Sequence, residues 1–406
     1  MQKNRIVTSS ILIIFSFFSV VYSYLNTRPL SVGDYCGYDG RIYCLMANGD
    51  TVFEPYSRRT LLPYVISLLS NKPDYLTFYF INTLFVIFSL FLIYIFQQKN
   101  DNLIKLVVIT TFLINPFTLR MLFSSPVLVD FLALTLVLLV IFLYTLQNRF
   151  LTKILVLILL SMLVFVRENI SITFAFSVFL VDLFYFLKAR NTKKFPLWEL
   201  NQFFLISAVT FFAFQQPNIS APSYVPKTGI LDVITYWTTD IFLTFDYFLR
   251  FIYLVILGLG VFGIFGLLKI YSFRSINQTD QTILVFGTLL TLTSLILGGD
   301  TSRILMIPGI VFTLILFRQK VKIKNLSLLF MINLILWNPL NYSNGEESSY
   351  LELYGQRYLD PSVAIGQLRE FLLTATLIFL VHLMYLFFRK VNKDPRPPES
   401  PISLVH

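Results

Sequence analysis

Residues 33–44 read GDYCGYDGRIYC, placing the carboxylates Asp34 and Asp39 beside Cys36 and Cys44, the only cysteines of the chain. A carboxylate in such a loop can accept a proton from a hydroxyl, share a divalent metal with a second carboxylate, or simply cap a helix and close a turn. Cationic partners follow at Arg58, Arg59, Arg120, Arg167 and Arg303. Two of these stand near an acid, as Arg167-Glu168 in FVREN and as Asp300 with Arg303 in GGDTSR. The planar guanidinium fork suits a phosphate, which is the chemistry these residues share. Plainer readings stand beside it. Arg58 and Arg59 can meet lipid headgroups, Asp300 can cap a helix and pair with Arg303 three residues on, and Asp130 reads as a helix cap or a cavity-lining acid, the cap being the simpler. With only two histidines, His382 and the terminal His406, a histidine-rich zinc site is excluded.

Elements that hold such residues must fit the composition. Hydrophobic residues make up 56% of the 406 and charged residues 13%, about half the usual share in soluble domains. Apolar runs long enough to cross a hydrocarbon core recur along the whole length, so the expected fold is an all-α polytopic membrane protein. Spans fall at about 6–25, 75–96, 104–119, 127–146, 153–167, 170–187, 201–215, 248–268, 282–298, 304–317, 326–340 and 370–388, about twelve transmembrane helices in one domain covering 1–388. The Pro-rich tail 389–406 reads as disordered. The first span follows Lys3 and Arg5 without a convincing cleavage site, so it is expected to remain as a helix.

Charge sets the orientation. With both termini cytoplasmic, 20 of the 32 Lys and Arg fall in cytoplasmic segments, whereas 16 of the 22 acids fall outside. The net charge of +10 is therefore a statement about topology, and no nucleic-acid partner is needed to explain it. Arg58, Arg59, Arg120, Arg167 and Arg303 all map to the outer boundary, and Arg167-Glu168 sits at a tight turn there. Adjacent positions on a helix do not face each other, so these two do not explain one another.

Three outer segments are long, at 26–74, 216–247 and 341–369. In the first, Asp39 can cap a short helix that Asn48-Gly49 ends, with Ile42, Leu45 and Met46 on its apolar face. RRTLLPYVISLLS predicts a second helix lying on the bilayer surface, with Leu61, Leu62, Val65, Leu68 and Leu69 on one side. Eight residues of helix rise about 12 Å, beyond the ~7 Å that a disulfide spans. A Cys36–Cys44 bridge therefore requires the chain to fold back before Asp39; otherwise the pair are two unpaired small hydrophobes.

An acidic first loop after helix one, membrane-surface helices and then many spans resemble the GT-C superfamily of membrane glycosyltransferases. More narrowly, YDGRIY followed by YSRRTLLPYVISLLS resembles bacterial members with a YDGQFY-like first loop and an Arg-rich stretch before Leu-Pro, with Arg41 and Ile42 departing from that form. The resemblance covers about forty residues. It implies a polyprenyl-phosphate-linked or diphosphate-linked sugar donor, a glycan, lipid or protein acceptor at the extracytoplasmic face, and a location in a bacterial plasma membrane. Asp39 matches the first-loop carboxylate near the reacting hydroxyl, with Asp34 as a possible second acid; the arginines would clamp the leaving phosphate. No cofactor is demanded, and a divalent metal is permitted. A transporter or flippase would instead carry its polar groups near the bilayer midplane on broken helices, and a glycan polymerase would differ in donor and acceptor size.

Overall fold

The computed structural model describes residues 2–31, 33–52, 58–98, 100–115, 117–146, 150–189, 195–215, 245–270, 276–297, 304–318, 326–337 and 361–391. Among them every regular element is helical: α1 (Gln2–Asn26), α2 (Tyr38–Ala47), α3 (Leu61–Leu69), α4 (Tyr75–Phe96), α5 (Asn102–Leu113), α6 (Leu119–Ser124), α7 (Asp130–Thr145), α8 (Phe150–Lys188), α9 (Leu197–Gln215), α10 (Phe245–Ile270), α11 (Gln278–Leu297), α12 (Met306–Arg318), α13 (Leu326–Trp337) and α14 (Pro361–Val391). Three of them, over Ile6–Asn26, Tyr75–Phe96 and Phe150–Lys188, are long and apolar enough to cross a membrane. They present Ile14, Phe17, Phe80 and Ile87 outward, which is consistent with a surface solvated by lipid. This is a helical membrane protein. Helices also stand where the other spans are expected, although several are shorter.

The departures have local causes. The run expected over 104–119 is two pieces, α5 and α6. The Asn115 side chain accepts the Phe117 backbone N–H at 2.9 Å, and Thr118 N–H bonds the Asn115 carbonyl, a turn that competes with helix. The last helix begins at Pro361, so it takes up residues 361–369 of the expected outer segment. Backbone geometry at Gly260, φ 66°, breaks α10, and the freed Val261 N–H donates to Asn333 Oδ1 at 3.1 Å.

α8 carries the expected tight turn. Its 39 residues include one non-helical position, Arg167. Ser171 Oγ donates to the Leu160 carbonyl at 2.6 Å, although eleven residues of straight helix would hold these groups about 16 Å apart. The chain therefore doubles back at Arg167, and α8 is a hairpin of two antiparallel arms.

Packing uses small residues and short polar bridges. α10 and α12 approach so closely that a Cβ on Gly309 would lie 2.5 Å from the Leu259 carbonyl oxygen. Ser16 meets Thr110 at 2.8 Å between α1 and α5, Ser89 meets Thr135 at 2.9 Å between α4 and α7, and Tyr144 meets Thr282 at 3.2 Å between α7 and α11.

Candidate ionic site at the first loop

The first loop is built from backbone outward. Gly33, Asp34 and Tyr35 all take positive φ, followed by Gly37 at 78°, so the chain coils back before α2 begins. Two of these are not glycine, a conformation that persists only when the surroundings over-determine it. Cys36 and Cys44 form the disulfide, with Cα atoms 6.5 Å apart, and so tie the coil to the middle of α2. Asp39 is not the cap of that helix. Gly37 occupies the N-cap position with no side-chain bond, and Asp39 is the second helical residue; its side chain lies outside the described atoms. Asp34 sits exposed on the coil, and the stem of Arg41 lies across Gly33.

The buried face of α2 also differs from the expected one. Gly40, Tyr43, Cys44 and Ala47 point inward, while Leu45 is exposed and Ile42 and Met46 are half-buried. The reason is a close approach: a Cβ on Gly40 would lie 2.8 Å from the Val127 Cβ, so only glycine lets α2 settle on the segment before α7. Asn48 and Gly49 end the helix as expected, Gly49 with φ 89°. On α3 the buried residues are Leu62, Pro63 and Ile66, whereas Tyr64, Leu68 and Leu69 are exposed. The expected single apolar face is thus divided between the protein and its surroundings.

These two helices deliver side chains to the α8 turn. Tyr43 is 1% exposed, and the Arg59 guanidinium donates a hydrogen bond to its hydroxyl. On its other side Arg59 faces Glu168 at 3.8 Å. Arg167, next in the chain, turns the opposite way and pairs with Asp130 at the start of α7, both almost fully buried. Five side chains from α2, the α3 approach, α7 and α8 therefore form one electrostatic group. Arg58 lies half-buried directly before Arg59. Counting Arg58, Arg59 and Arg167 against Asp130 and Glu168, the described charges leave one net positive.

Burial pushes the Tyr43 phenol above its ordinary range, and the charge of Arg59 only partly offsets this. For Arg59 burial acts in the opposite sense, lowering proton affinity, but the Tyr43 oxygen and the Glu168 carboxylate outweigh it and hold the guanidinium charged. The arrangement can keep a neutral phenol and a fixed cation at the edge of the loop. A ligand anion reaching this edge would meet both. Among the described residues no three acid, histidine or thiol groups gather as a metal site.

Of the residues singled out from sequence, Arg59, Arg167 and Glu168 are brought together, with Arg58 alongside. Asp300 and Arg303 lie outside the described residues, as do most of the second and third long outer segments. Arg120 is on α6, with its side chain outside the described atoms. Two members were not foreseen. Tyr43 could have been found from the small residues Gly40, Cys44 and Ala47, which mark the inward face of α2. Asp130 was expected to cap α7, but α7 has Val129 at its cap position and Asp130 serves Arg167 instead. The signal was available: Asp130 and Arg167 each interrupt an apolar run, and both map to the same boundary.

No family model matches the chain, and no curated protein matches it. Among solved structures the chain is similar to the crystal structure of the Archaeoglobus fulgidus oligosaccharyltransferase in the apo form. The TM-score is 0.48 and the identity 13%, over 89% of this chain and 56% of that one. The chain thus spans little more than half the length of that structure.

Proposed function

We propose that this protein is an integral membrane glycosyltransferase that moves a sugar from a polyprenyl-phosphate-linked donor to an acceptor at the extracytoplasmic face. The observation that carries the reading is the docking of the YDG element: α2 is pinned by a disulfide and by Gly40 against the α7 approach, beside a cluster with three arginines. Asp39 stands in the first turn of that helix without serving as its cap, which removes the plainest structural role for it. As general base it would take the proton of the attacking hydroxyl while opposing oxocarbenium charge at the anomeric carbon. The carbon–oxygen bond to the lipid phosphate breaks as the new glycosidic bond forms, and the phosphate leaves with its electron pair. Arg58 and Arg59 would receive it, joined by Arg303 from the 298–303 segment; Arg167, committed to Asp130, positions the α8 turn. Asp34 and Asp300 would serve as secondary acids and Arg120 as a further cation.

The transporter reading predicts polar groups on a broken helix at mid-bilayer. α10 is such a helix, but the cavity where Gly260, Asn115 and Asn333 meet holds about 20 Å³, room for one water and none for a glycan. That supports chemistry at the bundle's end over passage through it. The test is transfer by purified protein given polyprenyl-linked sugars. Asp39→Asn is expected to lose nearly all turnover and Arg303→Ala most of it. Full activity in Asp39→Asn removes the proposed base; lipid-glycan translocation without transfer by any donor replaces the enzyme with a flippase.

A further inference from the structure

Far from the ionic site, α9 turns two hydrogen-bond donors into a cavity. The cavity holds about 210 Å³ and lies between the ends of α7, both arms of α8, the start of α9 and the start of α11. Tyr144 is 14 residues along α7 from Asp130, and Lys153 and Asp182 are 14 and 15 residues along the α8 arms from Arg167. Each path is about 21 Å, most of a bilayer's hydrocarbon thickness.

Trp198 and Gln202 stand four residues apart and so share one face of α9. Trp198 Nε1 and Gln202 Nε2 are shielded from solvent and have no acceptor among the described residues, and Gln202 is only 7% exposed. The indole is not free to swing away, because its ring packs on Phe150 at 5.9 Å and lies under the Lys153 ammonium at 5.9 Å. Buried N–H groups without acceptors are expensive, and two of them on one wall call for an occupant that carries oxygen acceptors. The charged side chains beside them have partners of their own: Lys153 pairs with Glu199 at 3.1 Å, and Asp182 accepts from Gln278. The donors that stay open are neutral, so an uncharged acceptor matches them.

Where the cavity leads sets the rest of the occupant. It opens into a groove of about 750 Å³ walled by Tyr185, Phe186, Phe195 and Leu197. Leu197 begins a stripe of exposed apolar residues on α9, with Phe204 and Phe211 at seven-residue spacing, and Phe184 and Leu187 are exposed on the adjoining arm of α8. In a membrane protein such surfaces are solvated by lipid, so the groove is continuous with the lipid-facing side of the bundle. We propose that the cavity holds the glycerol-ester region of a diacyl membrane lipid. Trp198 and Gln202 donate to its ester carbonyls, and its acyl chains run out along the groove onto α9. A trapped water would satisfy the same donors without using the groove, and an ether-linked lipid would fill the groove without offering a carbonyl.

Trp198 is itself the reporter. In a background with Trp237→Phe and Trp337→Phe it is the only tryptophan. The protein is reconstituted into vesicles of diester phosphatidylcholine brominated near the start of its acyl chains, which quenches Trp198. Unbrominated diester phosphatidylcholine, or its diether analogue with the same headgroup and chain length, is then titrated in as competitor. From the recovery of emission we expect an apparent affinity at least threefold higher for the diester lipid than for the diether. Gln202→Leu is close in size and deletes a donor that bonds nothing in the described protein; it should bring the two affinities to within twofold. Equal recovery with both competitors is what a trapped water gives and overturns the proposal, as does a diester preference unchanged in Gln202→Leu. None of these outcomes bears on sugar transfer.

Discussion

Arg167 and Asp130 hold opposite charges almost out of reach of water, and their Coulomb attraction has to offset the desolvation of both. Such a pair does more for geometry than for stability: it fixes where the α8 hairpin turns relative to α7. Removing one partner strands the other. Arg167→Met should therefore destabilise the protein by about 3–5 kcal/mol, while Arg167→Met with Asp130→Leu should recover most of that loss; unfolding in detergent checks both variants. Tyr43 offers a different measurement. Losing its hydroxyl deprives Arg59 of an acceptor, so Tyr43→Phe should cost about 1–3 kcal/mol at neutral pH. Burial raises the Tyr43 pKa above its unfolded value of 10.0, so the phenol binds its proton more tightly when folded. That contribution is complete below pH 10 and is lost as pH rises further, because only the unfolded chain ionises first. The gap between wild type and Tyr43→Phe should accordingly narrow above pH 10, and a gap that widens would show that the Arg59 charge, which favours the ionised phenol, outweighs burial.

At the scale of elements, the short helix α2 is where local pattern and docking disagree. Its apolar residues Ile42, Leu45 and Met46 look like the inward face, yet the small residues Gly40, Cys44 and Ala47 point inward because close approach outweighs bulk. Docking then rests on one missing methyl group. Gly40→Val should push α2 away from Val127, lower stability by about 1–3 kcal/mol through overpacking and reduce transfer more than tenfold, since Asp39 moves with the helix. Thermal unfolding and the transfer assay together check this. Unchanged turnover would separate the docking of α2 from the chemistry. The helix termini were legible where backbone chemistry is local, as at Asn48-Gly49. The break after Leu113 has a local signal as well, the helix-stopping Asn115-Pro116 pair, and the asparagine side chain takes over the hydrogen bonding there.

For the whole molecule, the ionic site lies at one end of α7 and of both α8 arms, and Tyr144, Lys153 and Asp182 stand about 21 Å along those helices at the other. The Lys and Arg count carries the expectation that the ionic site faces the outside. A membrane-impermeant maleimide applied to intact cells should label Asn71→Cys, an exposed position after α3, and should leave Gln98→Cys, exposed just beyond α4, unlabelled until the membrane is opened. The reverse pattern would invert the map and place the loop chemistry in the cytoplasm. Composition, apolar run length and charge asymmetry by themselves determined the helical membrane character, the positions of most helices and the turn at Arg167, because these depend on the solvent each residue needs and act within one segment. The partners of the charges were decided only by the folded bundle. Tyr43 with Arg59, Arg59 with Glu168 and Arg167 with Asp130 join residues 16 to 109 positions apart. No local rule encodes which of several helix ends will meet; that follows from how small residues let the helices close on one another.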